Sequence, residues 1–423
     1  MKEEFLHYLW LHKKFSSDLL TTSDGLKIEI IRTGTHNLNS GPDFFNAQLS
    51  IGGQFWAGTL EVHCKSSDWY AHYHETDTAY DNVILHVVWE HDVEVFRSDR
   101  TKIPVLELKK FVEPSLWSQY KGLIQANGLW IPCEDQFPKN NSFSTKHFLE
   151  RLYVERLERK TELFYKLLEC SNNNWEAVLF QSLVKGFGLN LNGDSFLATA
   201  ESIPFSLVRK VQGKSLVLEA ILMGQSGLLD SENEAGYFHK LKAIYTTYTQ
   251  NYSLAAIGIP KPHFFRLRPS NFPTIRISQI ANLYKNQPSL FAKIIEASTL
   301  KEFYEILKTK TSEYWETHYT FDKCSKKRVK SISQAFMNLL IINVIIPLRF
   351  CYNQYVGKDA TDQLFSIARD VSAEKNSIVQ KFNTMGLTAT DALESQSLIQ
   401  LKQQYCQNKR CLECAIGNSL LQA

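Results

Sequence analysis

The chain lacks an uninterrupted apolar run of the length that crosses a lipid bilayer. Its most apolar segment, residues 336–350, contains two asparagines, a proline and an arginine, whereas a spanning helix needs about 20 predominantly apolar residues. The beginning of the chain places Glu3 and Glu4 ahead of its apolar positions and has no small-residue cleavage site, so it does not resemble a secretory signal. We therefore expect a soluble, cytoplasmic protein without a membrane partner.

Cysteine and net charge are also low. The 423 residues include 8 cysteines and carry a net charge of +3. So few cysteines exclude a disulfide-rich scaffold, and without an export signal they should stay mostly reduced. The charge is unevenly divided, because residues 1–112 contain 11 Lys and Arg against 16 Asp and Glu, together with eight of the twelve histidines. An acidic, histidine-rich part joined to a basic part is compatible with a metal site beside an anion-binding surface.

The pattern of apolar residues predicts an α+β domain over residues 1–112. A helix is expected first, and the strands that follow it are expected over residues 26–32, 44–51, 55–64, 83–89 and 93–96. The Gly52-Gly53 pair predicts a tight hairpin turn between the second and third of these strands.

Helical periodicity dominates the rest of the chain. A connecting segment, residues 113–140, ends in a run rich in Pro, Asn and Ser, which indicates a domain boundary. Residues 141–423 are predicted to form a mainly α-helical domain with a cluster of cysteines near its end. The length of the chain and its 44% hydrophobic content suit more than one globular domain.

The most informative motifs are Gly-Pro-Asp43-Phe and Glu61-Val-His63-Cys-Lys65. Side chains alternate along a strand, so Glu61, His63 and Lys65 share one face. The predicted hairpin returns this strand beside Asp43. One carboxylate from each strand, with a basic group nearby, can hold Mg²⁺ or Mn²⁺ and activate water. The same motifs are also compatible with ordinary turn chemistry and with an exposed strand that binds nothing.

These residues give roughly the first 100 positions a resemblance to the PD-(D/E)XK nuclease superfamily, whose restriction-endonuclease-like fold is a mixed sheet with flanking helices. The resemblance implies that Asp43 and Glu61 bind divalent metal for cleavage of nucleic acid phosphodiesters. His63 stands where the superfamily has lysine, and Lys65 lies about 6.6 Å further along the strand. Either His63 substitutes for the lysine, Lys65 reaches back, or hydrolysis has been lost.

Further histidines follow this strand. His72 and His74 could join His63 around Zn²⁺ or Mn²⁺, because imidazole and carboxylate suit such ions. If their segment is helical, however, the two side chains point apart. His86 lies in an apolar strand and is expected to be a hydrogen-bonded core residue.

A Pro-rich segment in the second half carries Arg266 and Arg268, and Arg276 follows it, all among aromatic residues. A guanidinium group binds phosphate as a planar fork, so a nucleic acid backbone is a candidate partner. The alternative, which we favour because Pro and aromatic residues usually pack, is a structural loop whose arginines pair with acids or cap helices.

Cys406, Cys411 and Cys414 have a C-x4-C-x2-C spacing, which can bring thiolates onto Zn²⁺ or an iron–sulfur cluster. A closed site needs a fourth ligand, for which Cys324 and Cys351 are candidates. The alternative is three reduced thiols at the end of a helix.

Taken whole, the chain resembles a bacterial family classified only as a domain of unknown function, through the Gly41-Pro-Asp-Phe motif, the Arg266-Leu-Arg-Pro motif and the Cys411-Leu-Glu-Cys motif. That resemblance implies no activity. The leading hypothesis is a metal-dependent, nuclease-like protein. One alternative is a non-catalytic nucleic-acid-binding or scaffold protein that keeps the fold. The other is a Zn-dependent hydrolase that uses His63, His72 and His74 on another substrate.

Overall fold

The computed structural model describes residues 2–126, 128–137 and 143–421. The chain divides into two compact units: unit 1 is Met1–Pro138 together with Gln403–Ala423, and unit 2 is Lys139–Lys402. The predicted fold class is confirmed, with a mixed sheet and flanking helices followed by a mainly helical region. The cysteine-rich end of the chain, which the sequence assigned to the helical domain, groups with unit 1. Most of the predicted boundary run, residues 138–142, lies outside the described residues.

Unit 1 is built on a six-stranded sheet. The strands are β1 (Ile28–Arg32), β2 (Thr35–His36), β3 (Phe44–Ile51), β4 (Gln54–Lys65), β5 (Val83–Glu90) and β6 (Val105–Glu107). Their order is β1-β3-β4-β5-β6, and β2 also pairs with β3. Strand β3 is antiparallel to its neighbours, whereas β4, β5 and β6 run parallel to one another.

A two-residue turn at Gly52-Gly53 sets the register of the central hairpin. Both residues have positive φ, 60° and 85°, which glycine adopts without steric cost. Ile51 therefore pairs with Gln54, and after a one-residue register shift between Phe44 and Ala47, Phe44 pairs with Leu60. This register brings the beginning of β3 beside the second half of β4.

The predicted strand over residues 93–96 does not form. Phe96 makes only an isolated bridge to Lys102, and the place beside β5 is taken by Val105–Glu107. The alternating pattern of Val93–Phe96 is typical of a strand, but Val93 and Phe96 are each 39% exposed, whereas Val105 and Leu106 are both buried and occupy the parallel position beside β5.

The helices of unit 1 pack on the sheet through their apolar faces. In the first helix, the apolar residues Phe5, Leu6, Leu9 and Trp10 are fully buried, and the helix contacts β4. The helices that precede unit 2 are α1 (Glu3–Leu11), α2 (Asp68–Ala71) and α3 (Pro114–Gln125).

Unit 2 is helical and surrounds one hydrophobic core. Its helices are α4 (Phe143–Cys170), α5 (Trp175–Phe187), α6 (Leu189–Glu201), α7 (Phe205–Val211), α8 (Ser215–Gln225), α9 (Gly236–Tyr252), α10 (Pro273–Asn286), α11 (Leu290–Glu296), α12 (Leu300–Leu307), α13 (Gln334–Leu340), α14 (Ile346–Tyr355), α15 (Thr361–Asp370), α16 (Ser377–Thr384) and α17 (Ala392–Gln400). A last short helix, α18 (Ala415–Leu420), belongs to unit 1.

One continuous helix of unit 2, Gln334–Tyr355, is long and apolar enough to cross a membrane by length and composition alone. It comprises α13, a π-helical turn and α14, and 67% of its most apolar window is buried inside the protein. The core helix of a soluble protein has these same properties, so this helix is weak evidence for a membrane span.

A buried carboxylate lies at the centre of unit 2. Glu219 is fully buried, and its two oxygens accept hydrogen bonds from four neutral side chains: Tyr237, Ser278, Ser312 and Trp315. Burial raises the pKa of Glu219 above its ordinary value, although these donors oppose the shift. The cluster ties α8, α9 and α10 to the segment around Ser312.

Candidate metal centre

The hairpin register brings the two predicted acids together. The backbone N–H of Asp43 donates to Glu61 Oε2 at 3.2 Å, and the N–H of Val62 donates to Asp43 Oδ2 at 3.0 Å. Each carboxylate therefore accepts a hydrogen bond from the backbone at or next to the other acid. Asp43 comes directly before β3, and Glu61 lies in β4, the strand that pairs with β3.

Glu61 and His63 point to the same face of β4, as the alternation of side chains requires. That face is covered, because Glu61 is 5% exposed and His63 is 1% exposed. His63 Nε2 lies 3.5 Å from Glu61 Oε1. Strand β4 is therefore buried on both faces at this level, since Leu60 and Val62 on the opposite face are also buried.

Three histidines converge at this point. His63 Nε2 lies 3.0 Å from His72 Nδ1, and the ligand nitrogens of His63, His72 and His74 all lie within 4.8 Å of one another. His74 Nε2 also lies 3.3 Å from Glu61 Oε1. The arrangement therefore offers three imidazoles and one carboxylate, a donor set that suits Zn²⁺ or Mn²⁺.

The backbone after α2 explains how His72 and His74 reach the same place. The helix ends at Ala71, and Tyr73 has the left-handed φ of 61°. His74 then begins a short 3-10 turn and stacks on Tyr80, with ring centroids 3.8 Å apart. Because the helix stops before His72, the divergence expected for two histidines on a continuous helix does not occur.

His86 orients His63 from within the sheet. Its Nε2 lies 2.9 Å from His63 Nδ1, and the side chain of His86 is fully buried. This contact leaves the Nε2 of His63 directed toward Glu61 and His72. Ligating histidines are commonly fixed through their second nitrogen in this way. The expected buried, hydrogen-bonded histidine in β5 is thus a neighbour of the candidate centre.

Burial keeps the imidazoles of His63 and His86 unprotonated. It lowers the pKa of His63 to about 3, and the nearby imidazoles of His74 and His72 lower it further. It also places the pKa of His86 well below the ordinary value. Both imidazoles are therefore neutral near pH 7, which is the form that binds metal.

The same burial has the opposite effect on the acid. It raises the pKa of Glu61 to about 7, with a further increase from the charge of Asp43 and an opposing contribution from the hydrogen bond with His74. A cation bound beside this carboxylate would favour its ionised form and so lower its pKa.

Helix α1 contributes residues that the sequence interpretation missed. His7 Nε2 lies 3.2 Å from Asp43 Oδ2, and the ring of His7 lies 4.9 Å from that of His36 on β2. Glu3 lies one helical turn earlier on the same face, and its pKa is raised by burial and then by the charge of Asp43. The spacing of Glu3 and His7, four residues apart on one helix, was the available signal.

Lys65 is exposed at the end of β4, where its backbone N–H donates to Asp68 Oδ2 at 2.8 Å. Its ammonium group makes no contact with Asp43 or Glu61 among the residues that the structure describes. Of the two basic groups considered for the lysine position, His63 is the one that lies beside an acid, with its Nε2 close to Glu61 Oε1.

The three candidate arginines belong to unit 2 and separate into two kinds. Arg276 is buried, donates to Asn271 and Gln279, and lies over the Phe336 ring at 3.5 Å from its centroid. It therefore has a structural role. Arg266 and Arg268 are exposed.

The Pro-rich segment that carries these exposed arginines is anchored on α6. The Asn192 side chain makes two hydrogen bonds to the backbone of His263, and Ser195 donates to the carbonyl of Pro260 at 2.6 Å. The segment is thus partly packed, as the structural alternative expects, while its arginine side chains project outward.

Comparison with known proteins gives a family and no activity. No curated protein and no solved structure matches the chain. The family described as "Protein of unknown function (DUF2851)" matches residues 3–377, which include every residue of the candidate metal centre and most of unit 2. The chain therefore belongs to the DUF2851 family of proteins of unknown function.

Proposed function

We propose that the chain is a metal-dependent hydrolase whose metal is held by Glu61, His63, His72 and His74, and that its substrates are nucleic acid phosphodiesters. The observation that carries the proposal is the convergence of three histidine nitrogens within 4.8 Å of one another beside the buried Glu61 carboxylate. Buried histidines and acids at such distances are costly unless a cation or a hydrogen-bond network pairs them.

The donor set favours a transition metal over Mg²⁺. Imidazole nitrogens suit Zn²⁺ and Mn²⁺, whereas Mg²⁺ prefers oxygen ligands in an octahedral shell. When bound, such a metal lowers the pKa of a coordinated water and stabilises negative charge on a reacting phosphate. His72 is exposed, unlike His63 and His74, so a substrate would approach from its side.

Asp43 has a separate role in this proposal. It lies beside Glu61 and accepts hydrogen bonds from the backbone, and His7 contacts its Oδ2. We infer that Asp43 and His7 hold or move the proton of the attacking water, since an imidazole in contact with a carboxylate can accept a proton and pass it on.

The choice of phosphodiesters rests on the order of elements around these residues. A helix, an antiparallel hairpin with Asp43 before one strand and Glu61 within the next, a short helix and a parallel strand occur in this order. This order is what the resemblance to the PD-(D/E)XK superfamily implies, with His63 in the position of the lysine.

The test is hydrolysis by purified full-length protein. Chelator-treated protein would be reloaded separately with Mn²⁺, Zn²⁺ or Mg²⁺ and assayed on single- and double-stranded DNA and RNA. We expect cleavage with Mn²⁺ or Zn²⁺, and a loss of at least about 100-fold in Asp43→Asn and Glu61→Gln. His12→Ala is the matched control, because His12 is an exposed histidine of the same unit outside the site.

Equal cleavage by the wild type and Glu61→Gln would refute the proposal, since the activity would then come from a contaminant. A second candidate is a Zn-dependent hydrolase with a different substrate, which the imidazole-rich donor set favours. It predicts Zn²⁺-dependent hydrolysis of a p-nitrophenyl ester, abolished in His63→Ala, with no cleavage of nucleic acid or of bis-p-nitrophenyl phosphate.

A further inference from the structure

The cysteines that the sequence offered as metal ligands are divided between the two units. Cys406, Cys411 and Cys414 belong to unit 1, whereas Cys324 and Cys351 belong to unit 2. A metal site at the three cysteines of unit 1 stays a prediction. Cys351 is buried and Cys324 is exposed. Cys324 lies beside a histidine of its own unit, and this pair has a chemistry of its own.

The backbone of the loop between α12 and α13 brings Cys324 and His318 together. The two residues are directly opposite each other in an isolated antiparallel β-bridge, so their side chains lie on the same side of it. The N–H of Ser325 donates to the carbonyl of Thr317 at 2.6 Å, and the ammonium of the buried Lys330 donates to the carbonyl of His318 at 2.9 Å. As a result the Cys324 sulfur lies 3.2 Å from His318 Nε2, which is within hydrogen-bond reach.

The second ring nitrogen of His318 determines which tautomer faces the sulfur. Its Nδ1 lies 2.9 Å from the Thr317 hydroxyl and 3.2 Å from the carbonyl oxygen of Tyr314. A carbonyl oxygen can only accept, and the Thr317 hydroxyl donates its own hydrogen to the same carbonyl at 3.3 Å. Nδ1 therefore carries the proton of the neutral imidazole, and Nε2 presents its lone pair to the Cys324 thiol.

Tyr314 also holds the plane of the imidazole. The rings of Tyr314 and His318 stack with their centroids 4.2 Å apart and their planes within 5° of each other. Tyr314 is itself held by stacking on Tyr237, at 4.1 Å between centroids, and by a hydrogen bond from its hydroxyl to the carbonyl of Phe321 at 3.1 Å. A nucleophile beside a base that a third group orients is the arrangement that activates a cysteine thiol.

The sulfur is accessible and lies in a basic stretch of the chain. Residues 322–328 contain four cations and one acid, Asp322, which hydrogen-bonds with Asn233. The four cations are all exposed: Lys323, Lys326, Lys327 and Arg328. Positive charge of this kind stabilises negative charge that develops on a nearby sulfur, and it attracts anionic reagents to the surface.

We propose that Cys324 and His318 form a reactive thiol–imidazole pair that undergoes exchange with anionic low-molecular-weight disulfides. As the Cys324 sulfur attacks one sulfur of the disulfide, His318 Nε2 takes the thiol proton. A new S–S bond forms to Cys324, the S–S bond of the reagent breaks, and the departing thiolate takes the proton from the imidazole. Cys324 is oxidised to a mixed disulfide and half of the reagent is reduced to a free thiol, so the disulfide is the only co-reactant.

Disulfide exchange fits this pair better than acyl transfer does. Exchange needs an accessible sulfur and a group that moves its proton, and the exposed Cys324 with His318 supplies both. Acyl transfer also needs fixed donors for an oxyanion. The exposed cations favour a disulfide that carries carboxylates. The reaction uses none of the residues of the candidate metal centre and does not depend on the proposed hydrolysis.

The first test is the rate at which glutathione disulfide modifies each cysteine of the full-length protein, followed by mass spectrometry. Cys170 is the internal reference, because it is an exposed cysteine of the same unit. We expect Cys324 to react at least about 10-fold faster than Cys170, and His318→Phe to remove most of this difference. Phenylalanine keeps a ring that can stack on Tyr314 but has no nitrogen. His239→Phe, at an exposed histidine of unit 2, is the matched control and should keep the wild-type rates.

A second measurement needs no variant and so keeps the test valid if His318→Phe fails to fold. Wild-type protein would be treated with glutathione disulfide, which is anionic, or with cystamine, which is cationic. Each rate at Cys324 is divided by the rate at Cys170, which cancels the intrinsic reactivity of the two reagents. We expect this ratio to be higher for glutathione disulfide, and the preference to shrink in about 1 M salt because salt screens the exposed cations.

Three results would overturn the proposal. Equal rates of modification at Cys324 and Cys170 would mean that the pair does not activate the thiol. An unchanged rate at Cys324 in folded His318→Phe would mean that the imidazole does not act as the base. A ratio that is equal for the two reagents, or higher for cystamine, would exclude anionic disulfides as the preferred class.

Discussion

Replacing Glu61 by glutamine should change the pH dependence of stability of the metal-free protein. The pKa of Glu61 is raised in the folded state from an ordinary value of 4.5 to about 7, first by burial and then by Asp43. A raised pKa means that the folded state favours the protonated acid. The corresponding stabilisation is fully present below pH 4.5 and is lost as the pH rises through 7.

The magnitude follows from the size of the shift. Each pKa unit corresponds to about 1.4 kcal/mol, so the wild type should lose about 3 kcal/mol between pH 4.5 and pH 8 that Glu61→Gln does not lose. The glutamine keeps an acceptor for the N–H of Asp43 but cannot ionise. His63, whose pKa is lowered, is common to both proteins and cancels in the comparison.

The assay is hydrogen exchange at increasing urea concentrations on chelator-treated protein, followed for a peptide that covers β4. A local probe is needed because two compact units do not unfold as one two-state system. Addition of Zn²⁺ at pH 8 should increase the stability of the wild type more than that of the variant. If the difference between the two proteins varies by less than about 1 kcal/mol across this pH range, the acid is not held neutral and the reasoning is wrong.

Three further outcomes are expected. His86→Leu removes the partner of His63 Nδ1 and should weaken metal binding about 10- to 100-fold in a chelator competition, and an unchanged affinity would mean that His86 does not orient the ligand. Glu219→Ala leaves four donors in unit 2 without their acceptor, two of them fully buried, and should cost about 3 kcal/mol or more in urea unfolding of that unit, whereas Glu219→Gln should cost less. Gly417→Ala forces a Cβ against the Cys411 carbonyl and should lower the stability of unit 1 by about 1–3 kcal/mol, measured by hydrogen exchange of α18.

Local signals in the sequence predicted one strand to the residue. Strand β3 has the predicted bounds, because its pattern ends at a glycine turn. Helix α12 has a comparable local signal at its start, where Thr299 and Glu302 form a capping box. Helix α6 has no such signal, since its Asn, Gly and Asp residues disfavour a helix in isolation. Its Asn192 and Ser195 are instead used to bind the backbone of the Pro-rich segment, a tertiary contact that no local pattern reveals.

The shared face of Glu61 and His63 was predictable from strand alternation. The position of Asp43 beside Glu61 depends on the tight turn and also on a one-residue register shift between Phe44 and Ala47, which the sequence pattern does not reveal. The inclusion of His7 depends on how α1 lies on the sheet, and the convergence of His72 and His74 depends on a single left-handed residue between them. Contacts between residues that are far apart in the chain produce no periodic pattern in a single sequence.

The return of the last residues to unit 1 bears on how the protein is made. Because Gln403–Ala423 packs with Met1–Pro138, a ribosome must finish the whole helical unit before the N-terminal sheet receives its final segment. Until then the surfaces that await this segment stay uncovered on the nascent chain. A fragment that ends at Pro138 would lack this segment, so the same surfaces of unit 1 would stay uncovered.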